Sequence, residues 1–233
     1  DLIPGLFVDR YGTALCVQTL SEGADARKLL FAQLLSKLKR VDTIVSRDDG
    51  SGRDFEGLGR SKSVLLDGGH SRIRYHEGSI RFDIDLLTDS KTGSFLDQVD
   101  NHLRSGQLAK GEALDTFSYH GGFALALAGS CTSVLAVEQD AAAAAQARRN
   151  AEANGKANVT VEEANAFDVL RRLYDEGRQF DTIVLDPPGL AKRREGMTAA
   201  RRAYHELNVR ALKLLRPDGL LVTCSCSGKI SRA

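Results

Sequence analysis

Near the C-terminus the chain reads Thr223-Cys224-Ser225-Cys226-Ser227, which holds two of its four cysteines. If this stretch is extended, Cys224 and Cys226 point to one face with Cα atoms about 6.6 Å apart, the long limit for a disulfide. A metal site needs two more ligands at suitable spacing, and the chain has no CxxC pair or histidine cluster to supply them. A nucleophile and a pair of small core residues both remain open. Upstream stands Asp186-Pro187-Pro188. Pro187 keeps Asp186 extended, and neither proline donates a backbone hydrogen bond, so a carboxylate is fixed on a stiff segment.

Three further stretches carry candidate chemistry. Asp115-Thr116-Phe117-Ser118-Tyr119-His120-Gly121-Gly122 ends in paired glycines, which at a strand-to-helix turn let a ligand approach the backbone. It is not the G-x-G-x-x-G dinucleotide pattern. Glu138 lies one strand-helix-strand unit beyond Asp115, where a carboxylate accepts both hydroxyls of a ribose or, alternatively, sits solvated beside a helix start. Asn165, followed by Ala166 and Phe167, either bonds the edge of an adenine or caps the next helix.

These residues all fall at the ends of expected strands. From about Thr92 onward, apolar runs at 113–117, 133–138, 159–163, 180–186 and 219–224 alternate with helical stretches at 122–129, 141–154, 167–176 and 198–215. Such alternation predicts an α/β fold, a Rossmann-like doubly wound sheet that is mostly parallel, with ligands beyond the carboxyl ends of its strands. Arg216-Pro217-Asp218-Gly219 reads as a turn into the last strand. If the fourth and fifth strands are neighbours, about 4.8 Å apart, Asp186 and Cys224 come within side-chain reach. Residues 1 to 92 differ: short β-like runs, one helix near 24–38 and glycine-rich breaks predict a small α+β domain ending in a hairpin. The expected division is therefore 1–92 and 93–233.

Bulk properties exclude several classes. With 27% charged and 42% hydrophobic residues among 233, the composition is that of an ordinary globular protein. No apolar run reaches the roughly 18 residues of a membrane span, and no secretory signal opens the chain. The four cysteines do not form a secreted disulfide framework, which points to a reducing cytoplasm. A net charge of +1 leaves nucleic-acid affinity to local patches. The densest is 192–216, with Lys192, Arg193, Arg194, Arg201, Arg202, Arg210, Lys213 and Arg216 against Glu195 and Glu206. The patch is either a nucleic-acid surface or a solvated helix face.

Taken in order, Gly121-Gly122, Glu138, Asp186-Pro187-Pro188 and the cysteine stretch resemble class I S-adenosylmethionine-dependent methyltransferases. More narrowly, the chain is similar to the bacterial large-subunit (23S) ribosomal-RNA methyltransferases that make 5-methylcytosine. The resemblance covers nearly the whole chain: Ile3-Pro4-Gly5-Leu6-Phe7-Val8-Asp9-Arg10-Tyr11-Gly12 is similar to the start of that family's central linker domain, and Phe95-Leu96-Asp97-Gln98 to the lead-in to its catalytic domain. Four positions depart from the pattern. Val99 and His102 stand where the family has arginine, Asn165 where aspartate is commoner, and His120 where it has a small hydroxyl residue.

The resemblance implies S-adenosyl-L-methionine as cofactor, held by Asp115, Ser118, Tyr119, Gly121, Gly122, Glu138, Asn165, Ala166, Asp186 and Pro187. It implies Cys224 as the nucleophile, Asp186 as the group that holds the cytosine edge, and Cys226 as an aid to proton removal or product release. It also implies a ribosomal-RNA substrate, a homodimer, an RNA-binding PUA domain before Asp1 and two further strands after Ala233. Methylation of a ring or amino nitrogen is an alternative, although such amino-group enzymes place an aromatic after the prolines, where this chain has Gly189. A nicotinamide-dependent dehydrogenase and a non-catalytic RNA-binding fragment are the other readings.

Overall fold

A computed structural model describes residues 3–68, 70–190 and 197–225. The chain divides into two compact units, Asp1–Asp97 and Gln98–Ala233. In the first unit, β1 (Leu6–Tyr11) and β2 (Ala14–Thr19) form a hairpin, and α1 (Glu22–Asp25) and α2 (Lys28–Leu35) lead to β3 (Thr43–Asp48), which lies parallel to β2. β4 (Ser61–Leu66) adds antiparallel to β3, giving a sheet of order β1-β2-β3-β4. The helix expected at 24–38 is thus broken into two short ones. Leu15, Val17, Ala32 and Ile44 make the core, and β5 (Arg72–Glu77) and β6 (Ile80–Asp85) form a separate hairpin. At the end of β3, the wholly buried Asp48 accepts hydrogen bonds from the Thr19 amide at 2.7 Å and the Ser46 hydroxyl at 2.6 Å, and pairs with Lys28. A buried carboxylate is tolerable when it is paired and hydrogen-bonded in this way.

The second unit opens with α3 (Val99–Leu108), which the apolar pattern does not announce because its buried residues are His102, Ser105 and Gly106. The alternation then follows: β7 (Glu112–Thr116), α4 (Gly122–Leu127), β8 (Ser133–Glu138), α5 (Ala141–Ala153), β9 (Val159–Glu163), α6 (Ala166–Asp175), β10 (Phe180–Leu185), α7 (Met197–Leu214) and β11 (Leu215–Thr223). All five strands run parallel in the order β11-β10-β7-β8-β9. Both faces are covered, so the central strands read as continuous apolar runs rather than alternating ones. Leu114, Val137, Ile183 and Leu185 join residues of α6 and α7 in one core, while Ala113, Val134, Ala136 and Val184 join α4 in the other.

Two local features fix the layout. Asp140 caps α5 through the Ala143 amide at 2.8 Å, and Asn165 caps α6 through the Phe167 amide at 3.0 Å. Each satisfies an amide that the helix start leaves without an intrahelical acceptor. The expected turn at 216–219 is instead absorbed into β11 as a bulge. Leu215 pairs with Phe180 and Leu220 with Thr182, so extra residues are accommodated on one strand, with Asp218 left-handed at φ 60°. No helix among the described residues is long and apolar enough to cross a membrane.

Candidate active site

Strand order reverses at the β7/β10 junction, since the chain runs from β7 outward through β8 to β9 and then returns to β10 on the other side. Such a crevice at the carboxyl ends is where open α/β sheets bind ligands. Asp115 lies on β7 opposite Val184 and is wholly buried. Neither carboxylate oxygen has a hydrogen-bond partner in good geometry among the described residues. Burial raises its pKa well above the usual carboxylate range; the nearby Asp186 and Glu138 charges add to this, and the Ala124 amide opposes it. The crowding of acidic groups at this switch point and the burial of Asp115 both favour its protonated form.

The turn from β7 into α4 is conformationally demanding. Phe117 (φ 62°), Tyr119 (φ 49°) and Gly121 (φ 88°) alternate into the left-handed region, which costs a non-glycine residue roughly 1–2 kcal/mol. The turn is held by the Ser118 amide donating to Val137 O at 2.9 Å, the Gly121 amide donating to Ser118 O at 2.8 Å and the Tyr119 amide donating to the Glu138 carboxylate at 2.7 Å. The Ser118 hydroxyl is buried without a hydrogen-bond partner among the described residues. His120 is buried with its ring stacked on Tyr119 at 3.8 Å, and burial lowers its pKa to about 4, with the Arg149 charge adding to the effect and Asp140 opposing it.

The paired glycines serve the protein's own packing as well as any ligand. Gly121 is needed for its left-handed backbone, whereas a Cβ on Gly122 would lie 2.4 Å from Cε1 of His102. The His102 ring thus fills the space next to Gly122 and meets Phe123 edge-on at 4.5 Å. Sequence reading identified His102 only as a departure from an arginine pattern. A histidine on a polar helix carries no signal that it will be buried.

At the neighbouring strand ends, Glu138 binds two amides, those of Tyr119 and Asp140, the latter at 2.8 Å. Of the two expectations for Asn165, the helix cap is formed through Oδ1, and its Nδ2 donates to the Gln139 side-chain oxygen at 2.8 Å. Ala166 is buried behind it. The rings of Phe117 and Phe167 meet edge-on at 6.3 Å, and both pack with Leu190 against the core, giving an apolar flank to the crevice.

On the far side, Leu185 pairs with Thr223 and the Cys224 amide donates to Leu185 O at 2.8 Å. Asp186 and Cys224 therefore follow directly on the paired ends of adjacent strands, both half-buried, and Pro187 next in the chain is buried. The structure thus brings Asp115, the 117–122 turn, Glu138, Asp186 and Cys224 to one edge of one sheet. Asn165 lies at the same edge, exposed at the start of α6. Cys226 and the basic residues Lys192, Arg193 and Arg194 lie outside the described residues.

A doubly wound parallel sheet with acidic residues and a left-handed turn at its switch point defines an α/β protein with a cofactor crevice. The chain belongs to the S-adenosylmethionine-dependent methyltransferase family, whose sequence profile matches residues 70–232. It is 37% identical over 98% of its length to "Ribosomal RNA large subunit methyltransferase I" of Erwinia tasmaniensis, covering 59% of that protein. It is 35% identical over 100% of its length to the protein of the same name from Aeromonas hydrophila, covering 60% of it. The chain thus spans less than two thirds of the relatives it matches. Among solved structures it resembles SMU.776 in complex with SAH, with a TM-score of 0.78 and 21% identity, covering 97% of this chain and 59% of that one. That likeness supports the Rossmann-like fold.

The residues present fit the family's methyl donor. Two buried polar groups at the switch point, the Asp115 carboxyl and the Ser118 hydroxyl, have no partner of their own among the described residues. They lie at the crevice whose flank is apolar through Phe117 and Phe167. A nucleoside with a charged amino-acid tail offers both kinds of surface.

Proposed function

We propose that this chain is the linker (1–92) and catalytic (93–233) portion of a ribosomal-RNA methyltransferase that forms 5-methylcytosine in large-subunit RNA. The observation that carries this reading is that Asp186 and Cys224 are the residues immediately after the paired ends of the neighbouring strands β10 and β11. The relatives' names support ribosomal RNA as substrate. Cytoplasmic location and a homodimer belong to the same proposal.

Bound S-adenosylmethionine supplies an electrophilic methyl carbon. Asp115, Ser118, Tyr119, Gly121 and Gly122 would hold it together with Glu138, Asn165 and Ala166, while Asp186 and Pro187 close the side toward the base. Carbon 5 of cytosine is a poor nucleophile. The Cys224 thiolate adds to carbon 6, and the ring electrons displaced toward carbon 5 and N3 make an enamine, with Asp186 holding the protonated N3 edge. Carbon 5 takes the methyl group as the methyl's bond to the sulfonium sulfur breaks, releasing S-adenosylhomocysteine. Carbon 5 then loses its proton to a base, for which Cys226 is the candidate, and the N3 proton returns to Asp186. The electrons of that C–H bond re-form the 5,6 double bond and expel the Cys224 thiolate. The base must leave its stack to reach this edge, and Arg201 and Arg202, exposed on α7, would meet the RNA backbone.

The test is incubation with RNA containing 5-fluorocytosine and labelled cofactor. Fluorine at carbon 5 cannot leave as a proton does, so a covalent protein–RNA adduct accumulates in the wild type and is lost in Cys224→Ala. No adduct in the wild type, or one that survives the substitution, overturns the carbon-5 mechanism.

A further inference from the structure

The geometry points to a positioning role for Glu138: its carboxylate clasps the β7–α4 and β8–α5 turns together and holds the former in its cofactor-receiving shape. This rests on the reading above that the 117–122 turn receives S-adenosylmethionine. One oxygen accepts the Tyr119 amide at 2.7 Å and the other accepts the Asp140 amide at 2.8 Å. Tyr119 is the middle of three left-handed residues, so its amide anchors the turn where the backbone is least favourable on its own. Asp140 in turn caps α5 through Ala143, so the clasp ties the turn to the start of a thirteen-residue helix.

A carboxylate offers about four acceptor sites, and the two amides use two of them. The remaining sites leave Glu138 able to accept ribose hydroxyls as well. The two roles therefore coexist and are separable. A ribose contact acts only when cofactor is bound, whereas the clasp acts in the empty protein. Glutamine has one acceptor oxygen and sets an NH2 group against the second amide, so it can keep at most one half of the clasp. Aspartate is one methylene shorter and cannot span both turns without moving them.

The deciding measurement is amide hydrogen exchange in the full chain without cofactor, for wild type, Glu138→Ala and Glu138→Gln. We expect exchange at Tyr119, Asp140 or both to quicken tenfold or more in each variant, with the β7–β8 ladder unchanged. Wild-type exchange rates at both amides would overturn the clasp, and the glutamine variant carries the test if the alanine variant does not fold. Calorimetry with S-adenosylhomocysteine and its 2′,3′-dideoxyribose analogue then reads the consequence for binding. If the clasp serves the cofactor, the affinity loss in the variants persists on the analogue; a loss that disappears there leaves only a ribose contact and overturns the proposal. Failure of the wild type to bind S-adenosylhomocysteine sinks the cofactor reading instead, while the exchange result still decides the clasp.

Discussion

At Asp115 a carboxyl group is kept buried with no well-formed hydrogen bond to either oxygen among the described residues, an arrangement that costs stability unless a ligand completes it. Its pKa is raised, so the folded state holds the proton more tightly than the unfolded chain. The stability it allows is complete below pH 3.8 and is lost as pH rises through the native value. Asp115→Asn removes that penalty. We expect melting at pH 8 to rise by about 3 °C or more, and calorimetry to report weaker S-adenosylhomocysteine binding, a trade of function for stability. His120 acts in the opposite sense. Because its pKa falls to about 4, protonation favours the unfolded chain, and stability is lost as pH drops from 6.5 toward 4. That limb is worth about 3 kcal/mol at most. Denaturant titrations between pH 7 and 4 should show it in the wild type and find it flattened in His120→Gln.

Among the elements, strands were the most legible. The boundaries of β8 and β9 match those read from the sequence: β8 carries the near-continuous apolar run Val134–Val137 of an interior parallel strand, whereas the edge strand β9 shows only the alternating Val159 and Val161. The helix α3 was not legible, since it packs on α4 through small and polar residues: a Cβ on Gly106 would lie 2.7 Å from the Ala126 carbonyl oxygen. The same interface gives a test. Gly122→Ala drives a methyl into the His102 ring, which is itself confined against Phe123, and should cost about 1–3 kcal/mol by denaturant unfolding. Adding His102→Ala opens that space, so the double variant should be more stable than the sum of the two single losses. Strict additivity would mean that the turn relaxes elsewhere.

For the whole molecule, the proposed RNA partner has an electrostatic signature despite a net charge of only +1. Arg201 and Arg202 are exposed on α7. Replacing both by alanine should weaken binding alike on all RNA sequences and reduce the slope of log affinity against log salt by about 1.4, at roughly 0.7 per lost single-strand phosphate contact. Fluorescence anisotropy across a salt series measures this, and an unchanged slope would remove α7 from the RNA path.

The sequence by itself determined the alternation of strands and helices and the residue types at the strand ends, because both follow from local periodicity and from what proline, glycine and carboxylates can do. The order β11-β10-β7-β8-β9, which carries Asp115, Asp186 and Cys224 to one edge, was decided by tertiary structure. So were the His102 ring beside Gly122 and the two amides that Glu138 binds. Each depends on groups distant in sequence meeting in space, and no local pattern specifies which partner a buried polar group will find.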